Sequence, residues 1–282
     1  MSLTADQPRS PQTLGALRLV MVQQNFLVGD IPGNAQRIVA VARQADEQCQ
    51  ADIVVFPELA LTGYPPEDLL LRPSLDIRVQ AAIDEICGAG LAPIVVFGAP
   101  VRANGKLYNA ALVMENGKIR HRYFKQCPPN YQVFDEKRYF ASGSEPLVAS
   151  LRGVDVGITV CEDLWAEGPV ETAAAAGAKL VLNLNASPYS QGKQLRRKAL
   201  VQRKAKAAGV PIVYVTWWAL RTSWCLMGVR WWSMAKATLL PKRRSLNRAC
   251  SLSTLTVEKP ASRLLNHYHR RCLQARRCIK RW

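Results

Sequence analysis

No apolar run in the 282 residues approaches the ~20 that cross a bilayer, and no leader of the secretory kind opens the chain. A membrane anchor is therefore not expected, and the chain reads as cytoplasmic. There is no Cys-x-x-Cys pair. The eight cysteines lie far apart, which fits a reduced compartment better than a disulfide framework. Internal repeats are lacking as well. Acid is lacking most unevenly. Residues 216–282 hold no aspartate and one glutamate, Glu258, against 15 lysines and arginines; residues 1–215 hold 20 acids against 23 basic residues. The formal net charge of +17 thus divides into +3 for the first part and +14 for the tail. The first part is an ordinary near-neutral globular sequence, and the 49% apolar content of the chain is enough for a sizeable core.

The tail differs in more than charge. Six of the seven tryptophans and four of the eight cysteines fall at or after Trp217, and no sustained period of 2 or 3.6 runs through it. Two explanations compete. A basic tail with aromatics can bind single-stranded nucleic acid by charge and stacking. Alternatively, the reading frame has slipped. If one nucleotide is restored before the codon of Thr216, an allowed codon choice reads N-L-V-G-A-Q-D-E-L-V-F-D-G-G-S, which is acidic, strand-like and turn-bearing, and which continues Pro211–Val215. The expected organisation is a disordered lead-in over 1–15, a folded unit over 16–215, and an out-of-frame, disordered tail over 216–282.

Within the folded unit, strands are expected at Ala16–Gln23, Ala51–Phe56, Ile94–Phe97, Tyr108–Glu115, Lys118–Lys125, Val154–Val160, Leu180–Leu184 and Pro211–Val215. Helices are expected at Ile31–Gln50, at Ser74–Cys87 with Ser74 as N-cap, at Pro169–Gly177 and at Gln191–Ala208. Asn116-Gly117 makes one hairpin. This alternation predicts an α/β protein with mixed sheets covered by helices.

Three polar residues end apolar strands: Glu58, Lys125 and Cys161. In α/β sheets such positions converge on the ligand crevice. Cys161 follows Gly157–Val160 and precedes Glu162 and Asp163, so it stands at a strand–helix elbow. There a helix N-terminus can lower a thiol pKa, and backbone N–H groups can hold an oxyanion. A carboxylate can take the thiol proton, and a lysine favours thiolate and oxyanion alike. These are the parts of acyl transfer at a carbon–nitrogen bond. Taken singly, Glu58 also reads as a turn acid, Lys125 as a strand end, Cys161 as a small buried hydrophobe, and Glu162 and Asp163 as helix-cap acids.

Phe56–Tyr64 (F-P-E-L-A-L-T-G-Y), His121–Lys125 (H-R-Y-F-K) and Val160–Trp165 (V-C-E-D-L-W) resemble the three signature blocks of the nitrilase, or carbon–nitrogen hydrolase, superfamily. Pro65–Arg72, Pro129–Phe140 and Leu184–Lys193 are more narrowly similar to the glutaminase domain of glutamine-dependent NAD synthetases. The resemblance implies a four-layer α-β-β-α sandwich, incomplete at its C-terminal end. It implies Glu58 as general base, Lys125 as transition-state stabiliser, Cys161 as nucleophile, and Glu136 as a second glutamate near the amide. Tyr131, Ser187 and Lys193 fall where that family binds L-glutamine, although Lys193 also opens a basic helix face.

The sequence departs from the family in two places. Cys127 and Pro128 precede Pro129 where a leucine is usual, which alters the loop carrying Tyr131. The serine-glycine-glycine phosphate loop of the synthetase domain is missing. The resemblance therefore implies no cofactor for this chain; ATP, magnesium and deamido-NAD belong to a synthetase domain normally in cis, and the intact family is expected to form homo-oligomers. Two readings stay open beside a glutaminase: a stand-alone hydrolase of another small amide, and an inactive fragment whose tail is sticky towards nucleic acid, which is otherwise not an expected partner.

Overall fold

A computed structural model describes residues 16–131, 134–187, 193–217, 219–220, 225–226, 230–233 and 251–258. The strands are β1 (Ala16–Gln23), β2 (Ile53–Val55), β3 (Ile94–Ala103), β4 (Lys106–Glu115), β5 (Lys118–Phe124), β6 (Leu147–Leu151), β7 (Val154–Val160), β8 (Leu180–Asn185), β9 (Ile212–Thr216), β10 (Ala219–Leu220), β11 (Cys225–Leu226), β12 (Arg230–Ser233) and β13 (Ser251–Glu258). The helices are α1 (Ile31–Cys49), α2 (Leu75–Gly88), α3 (Pro169–Ala175) and α4 (Lys193–Ala208). No helix among the described residues is long and apolar enough to cross a membrane.

Two mixed sheets form, in the orders β13-β1-β2-β3-β4-β5 and β12-β9-β8-β7-β6. The period of 2 along each strand assigns its side chains to layers. Leu17, Leu19 and Met21 of β1 join Ile53, Val55, Ile94 and Val96 in a core that also holds Val156, Ile158, Val160, Leu182, Leu184 and Val215 of the second sheet. Val20 and Val22 point the other way, with Val54, Phe56, Val95 and Phe97, onto the buried faces of α1 and α2. On the far side Val181, Ile212 and Tyr214 meet Leu164, Val170, Leu200 and Ala205, where α3 and α4 pack. Three cores between four layers make the α-β-β-α sandwich.

Several elements differ from expectation for local reasons. Among the described residues three hairpins with two-residue turns occur where one is expected. Asn104-Gly105, Asn116-Gly117 and Arg152-Gly153 all turn with positive φ at both central residues, the geometry that matches strand twist. The third pairs β7 with β6, a strand whose L-V-A-S-L pattern is too short to stand out. Ser74 occupies the N-cap of α2, but its side chain makes no capping bond. Residues 191–192, expected to begin α4, lie outside the described residues.

Most of the tail, and the lead-in over 1–15, also lie outside the described residues, so the expected disorder falls largely there. Apart from Trp217, the described parts of the tail are strands. β12 pairs antiparallel with β9, and β13 pairs with all eight residues of β1, Ala16 to Gln23. The Ser251–Glu258 run, S-L-S-T-L-T-V-E, carries the Thr and Val content that suits a pleated edge, a signal local enough to be lost in the surrounding basic sequence. β1 contributes side chains to two cores, so its other edge needs a partner. Removing residues 251–282 is expected to lower the thermal midpoint by more than about 5 °C and to promote association on heating, read by calorimetry and light scattering. An unchanged midpoint would show that β13 is dispensable.

Candidate active site

The strand ends of both sheets meet at a buried polar cluster. Glu58 follows β2 by three residues, Lys125 follows β5 directly, and Cys161 follows β7 directly. The Lys125 ammonium is fully enclosed and bridges two carboxylates, at 2.8 Å from Glu58 Oε1 and 2.8 Å from Glu136 Oε2. Asn109, from the middle of β4, donates to Glu58 Oε1 at 2.8 Å and more distantly to Glu136 Oε2 at 3.5 Å. Tyr64 Oη lies 3.5 Å from Glu136 Oε1. Glu58 Oε2 is buried and has no hydrogen-bond partner among the described residues.

Charge and burial compete in this cluster. Burial alone would lower the Lys125 pKa, yet the Glu136 and Glu58 carboxylates hold it well above its ordinary value. Burial pushes Glu136 up, against the pull of Lys125. Burial also pushes the Cys161 thiol well above its ordinary pKa, and Glu58 adds to this more than Lys125 takes away. The expected lowering of the thiol pKa at a helix N-terminus therefore does not occur. Cys161 opens only a four-residue 3-10 turn, Cys161–Leu164, too short to present an organised helix dipole. Burial and Glu58 together keep the proton on the Cys161 sulfur.

Close backbone contacts aim all three side chains. Cys161 itself has φ +48°, a strained elbow directly after β7. Leu59, directly after Glu58, has φ +48° as well. Gly98 of β3 lies under that turn: a Cβ there would come within 2.2 Å of Leu59 N and 2.7 Å of Glu58 Cα. Gly143 lies as close to the residue before Lys125, where a Cβ would meet Phe124 O at 2.2 Å. The Lys125 backbone is held on both sides, its N–H by Asn109 O at 2.9 Å and its carbonyl by Gly143 N–H at 2.8 Å.

Asp163 connects two of these elbows. Its carboxylate accepts from Val160 N–H at 2.9 Å, Tyr123 Oη at 2.8 Å, Gln126 N–H at 3.1 Å and Cys127 N–H at 2.8 Å. The bond to Val160 is the local cap that the sequence suggests. The other three bind the strand and loop that carry Lys125. Asn109 and Asp163 are thus site residues whose reach does not follow from sequence spacing. Their signals are an amide inside an otherwise apolar strand, and an acid two residues past the cysteine.

The other predicted residues border the same cluster. Tyr131 is half-exposed and donates from Oη to Glu162 Oε1 at 2.8 Å. Lys193, at the start of α4, sits with Nζ 5.8 Å from the Phe134 ring centroid, and burial together with Arg197 lowers its pKa. Tyr131 packs edge-on against Phe134 at 5.6 Å. Ser187 is buried just past β8, and its carbonyl accepts from Arg197 Nη2 at 2.9 Å. Glu58, Glu136, Lys125 and Cys161 therefore form one buried group. Tyr131, Lys193 and Glu162 make a more open, charged margin beside it.

Comparison with known proteins agrees with this architecture. A family model described as Carbon-nitrogen hydrolase matches residues 18–227. The glutamine-dependent NAD(+) synthetase of Xylella fastidiosa (strain 9a5c) is 46% identical over 202 residues, which cover 71% of this chain and 37% of that protein. Its counterpart in Xanthomonas campestris pv. campestris is 43% identical over 208 residues, 73% of this chain and 38% of that one. The chain thus spans little more than a third of the length of these curated relatives. Among solved structures, the glutamine-dependent NAD+ synthetase of Acinetobacter baumannii superposes with a TM-score of 0.80 at 34% identity, over 85% of this chain and 45% of that one. A nitrilase-superfamily amidase of Nesterenkonia AN1 superposes with a TM-score of 0.76 at 22% identity, over 88% and 92%, a likeness of fold.

Two outcomes test the cluster. Lys125→Met strands two buried carboxylates and is expected to cost about 3–5 kcal/mol in urea denaturation. Adding Glu58→Gln and Glu136→Gln is expected to recover part of that loss, and no recovery would refute the ion-pair account. Gly98→Ala forces the Glu58 turn to move and is expected to lower amide turnover by at least about tenfold, with a soluble, folded product by circular dichroism.

Proposed function

The chain belongs to the carbon–nitrogen hydrolase family, and on that basis we propose that it is a glutamine amidohydrolase, the ammonia-releasing part of a glutamine-dependent NAD synthetase. The observation that carries this reading is the enclosed Lys125 between Glu58 and Glu136, with Glu58 Oε2 left unpartnered beside a neutral Cys161 thiol at a strained elbow. The names and coverage of the relatives support it.

The proposed chemistry runs in two halves. In the first, Glu58 Oε2 takes the Cys161 proton as the sulfur attacks the side-chain amide carbon of L-glutamine. The developing oxyanion is held by the Lys125 ammonium and by the backbone N–H of Glu162, which follows the nucleophile. The proton on Glu58 passes to the amide nitrogen, the carbon–nitrogen bond breaks, and ammonia leaves a glutamyl thioester on Cys161. In the second half Glu58 deprotonates water, which attacks the thioester; glutamate departs and the thiol is restored. Glu136 touches Lys125 rather than the thiol, so its work is to keep the ammonium charged and aimed. A thiol with a raised pKa suits this sequence, because it stays unreactive until a base and a substrate are both in place.

Tyr131, Ser187 and Lys193 are assigned to the glutamine backbone, with the Lys193 cation facing the α-carboxylate. The open margin that Tyr131 and Lys193 share with Glu162 fits an amino acid end more polar than a simple amide. ATP, magnesium and deamido-NAD would act in the portion of the relatives that this chain does not span, and ammonia would pass to it. We also infer that residues 216–282 are read out of frame. The support is the break in composition at Thr216 and the family-like peptide that an allowed codon choice gives in a restored frame.

Cys161→Ala is expected to abolish ammonia release from glutamine, and Lys193→Ala to raise KM by about tenfold or more with little change in kcat. Equal turnover of glutamine and of simple ω-amides would favour a broader amide hydrolase. Nucleotide sequence across the codon of Val215 tests the frame. The purified chain is expected to turn over glutamine well below a frame-restored version, and equal rates would refute that expectation.

A further inference from the structure

Trp217 is the second residue of the basic tail, and its indole is nevertheless fully buried. It leaves the end of β9 in the second sheet and enters the core on the helix-covered side of the first, packing edge-on against Phe26 at 5.4 Å and 73°. There its Nε1–H donates to the backbone carbonyl of Glu58 at 2.7 Å. This bond joins residues 159 positions apart and carries a side chain of one sheet to the main chain of the other. A second, weaker contact runs between the same two sheets, from Gln23 Nε2 at the end of β1 to Thr216 O at 3.4 Å.

The Glu58 peptide is flanked by bonds that do not reach its carbonyl, from Phe56 N–H to Val96 O at 2.8 Å and from Leu61 N–H to Gly98 O at 3.1 Å. It lies outside regular strand, between Pro57 and the positive-φ residue Leu59. Gly98 blocks it from one side but donates its own N–H to Pro57 O, not to Glu58 O. On the side chain, Oε1 is held by Lys125 and Asn109, whereas Oε2 is unpartnered. The direction of Oε2 therefore depends on the rotation of the peptide behind it. A buried carbonyl without a donor would favour a rotated peptide that finds one.

We propose that Trp217 is a positioning residue for the chemistry of this site: its indole N–H fixes the peptide that carries Glu58, and so aims the carboxylate oxygen that takes the Cys161 proton. The proposal rests on the reading of Glu58 as the base. It gives the first residues of the tail a part in the site, independently of whatever the rest of the tail does. Because the bond acts on proton transfer and not on the polar margin at Tyr131 and Lys193, its loss should reach kcat and leave KM alone.

The test compares four full-length chains by ammonia release from glutamine, with rates normalised to folded protein. The four are the parent, Trp217→Phe, Trp217→His and Glu58→Gln. Trp217→Phe keeps a ring against Phe26 and removes the donor; it is expected to lower kcat by about fivefold to tenfold with KM within about twofold. Trp217→His is smaller but keeps a ring N–H, and is expected to recover part of the rate despite poorer packing. Parent-like kcat in Trp217→Phe beside an inactive Glu58→Gln would overturn the role of Trp217 alone. Parent-like kcat in Glu58→Gln would overturn the base assignment and this proposal together. Equal losses in the Phe and His variants, or failure of both to fold, would reduce Trp217 to packing and overturn the proposal. So would a parent chain with no turnover, since there would then be no catalysis for the residue to serve.

Discussion

The enclosed ammonium of Lys125 is the constraint on which the rest of the site depends. Two carboxylates cannot remain charged in a dry interior without a cation between them, and a lysine cannot remain protonated there without carboxylates. Glu58 comes from the end of β2, Lys125 from the end of β5 and Glu136 from a loop 3-10 turn, so the three secure one another only when the first sheet and its loops are correctly assembled. The arrangement is electrostatically tight and leaves one oxygen, Glu58 Oε2, unused. In the proposed chemistry that oxygen takes the Cys161 proton.

Reactivity in the proposed chemistry is set by restraint rather than by an activated thiolate. Burial and the neighbouring glutamates keep the Cys161 proton on, and Lys125 only partly offsets them. Position then matters more than intrinsic nucleophilicity, which accounts for how much of the surrounding structure is devoted to holding backbone. Gly98 and Gly143 allow main chains to approach closer than any side chain would permit, and Asp163 fastens the Cys161 elbow to the Lys125 loop through four donors. The buried pair Arg197 and Ser187 plays a similar part at the margin, where α4 is tied to the end of β8.

The layers of the fold were legible because hydrophobic periodicity is a local property. Val20 and Val22 against Leu17, Leu19 and Met21 divide β1 between two cores as a period of 2 requires. β6 and its Arg152-Gly153 hairpin were less visible, since a five-residue strand leaves few residues to count. Within the site, Glu58, Lys125 and Cys161 stand out because each ends an apolar strand. Asn109 does not, because a single amide in a strand has no local partner to mark it. The thiol pKa went the other way from expectation for the same reason: proximity to Glu58 is a fact of folding, invisible along the chain.

The order of residues along the chain was enough to set the alternation of strands and helices, the three residue types placed at strand ends, and the break in composition at Thr216. These depend on neighbours within a few positions. Folding in three dimensions was needed to settle which carboxylate shares the lysine, which oxygen is left open, that the thiol rests protonated, and that Trp217 reaches Glu58 across 159 residues. Such features arise from desolvation and from contacts between distant segments. Neither exists until the two sheets close on each other and exclude water.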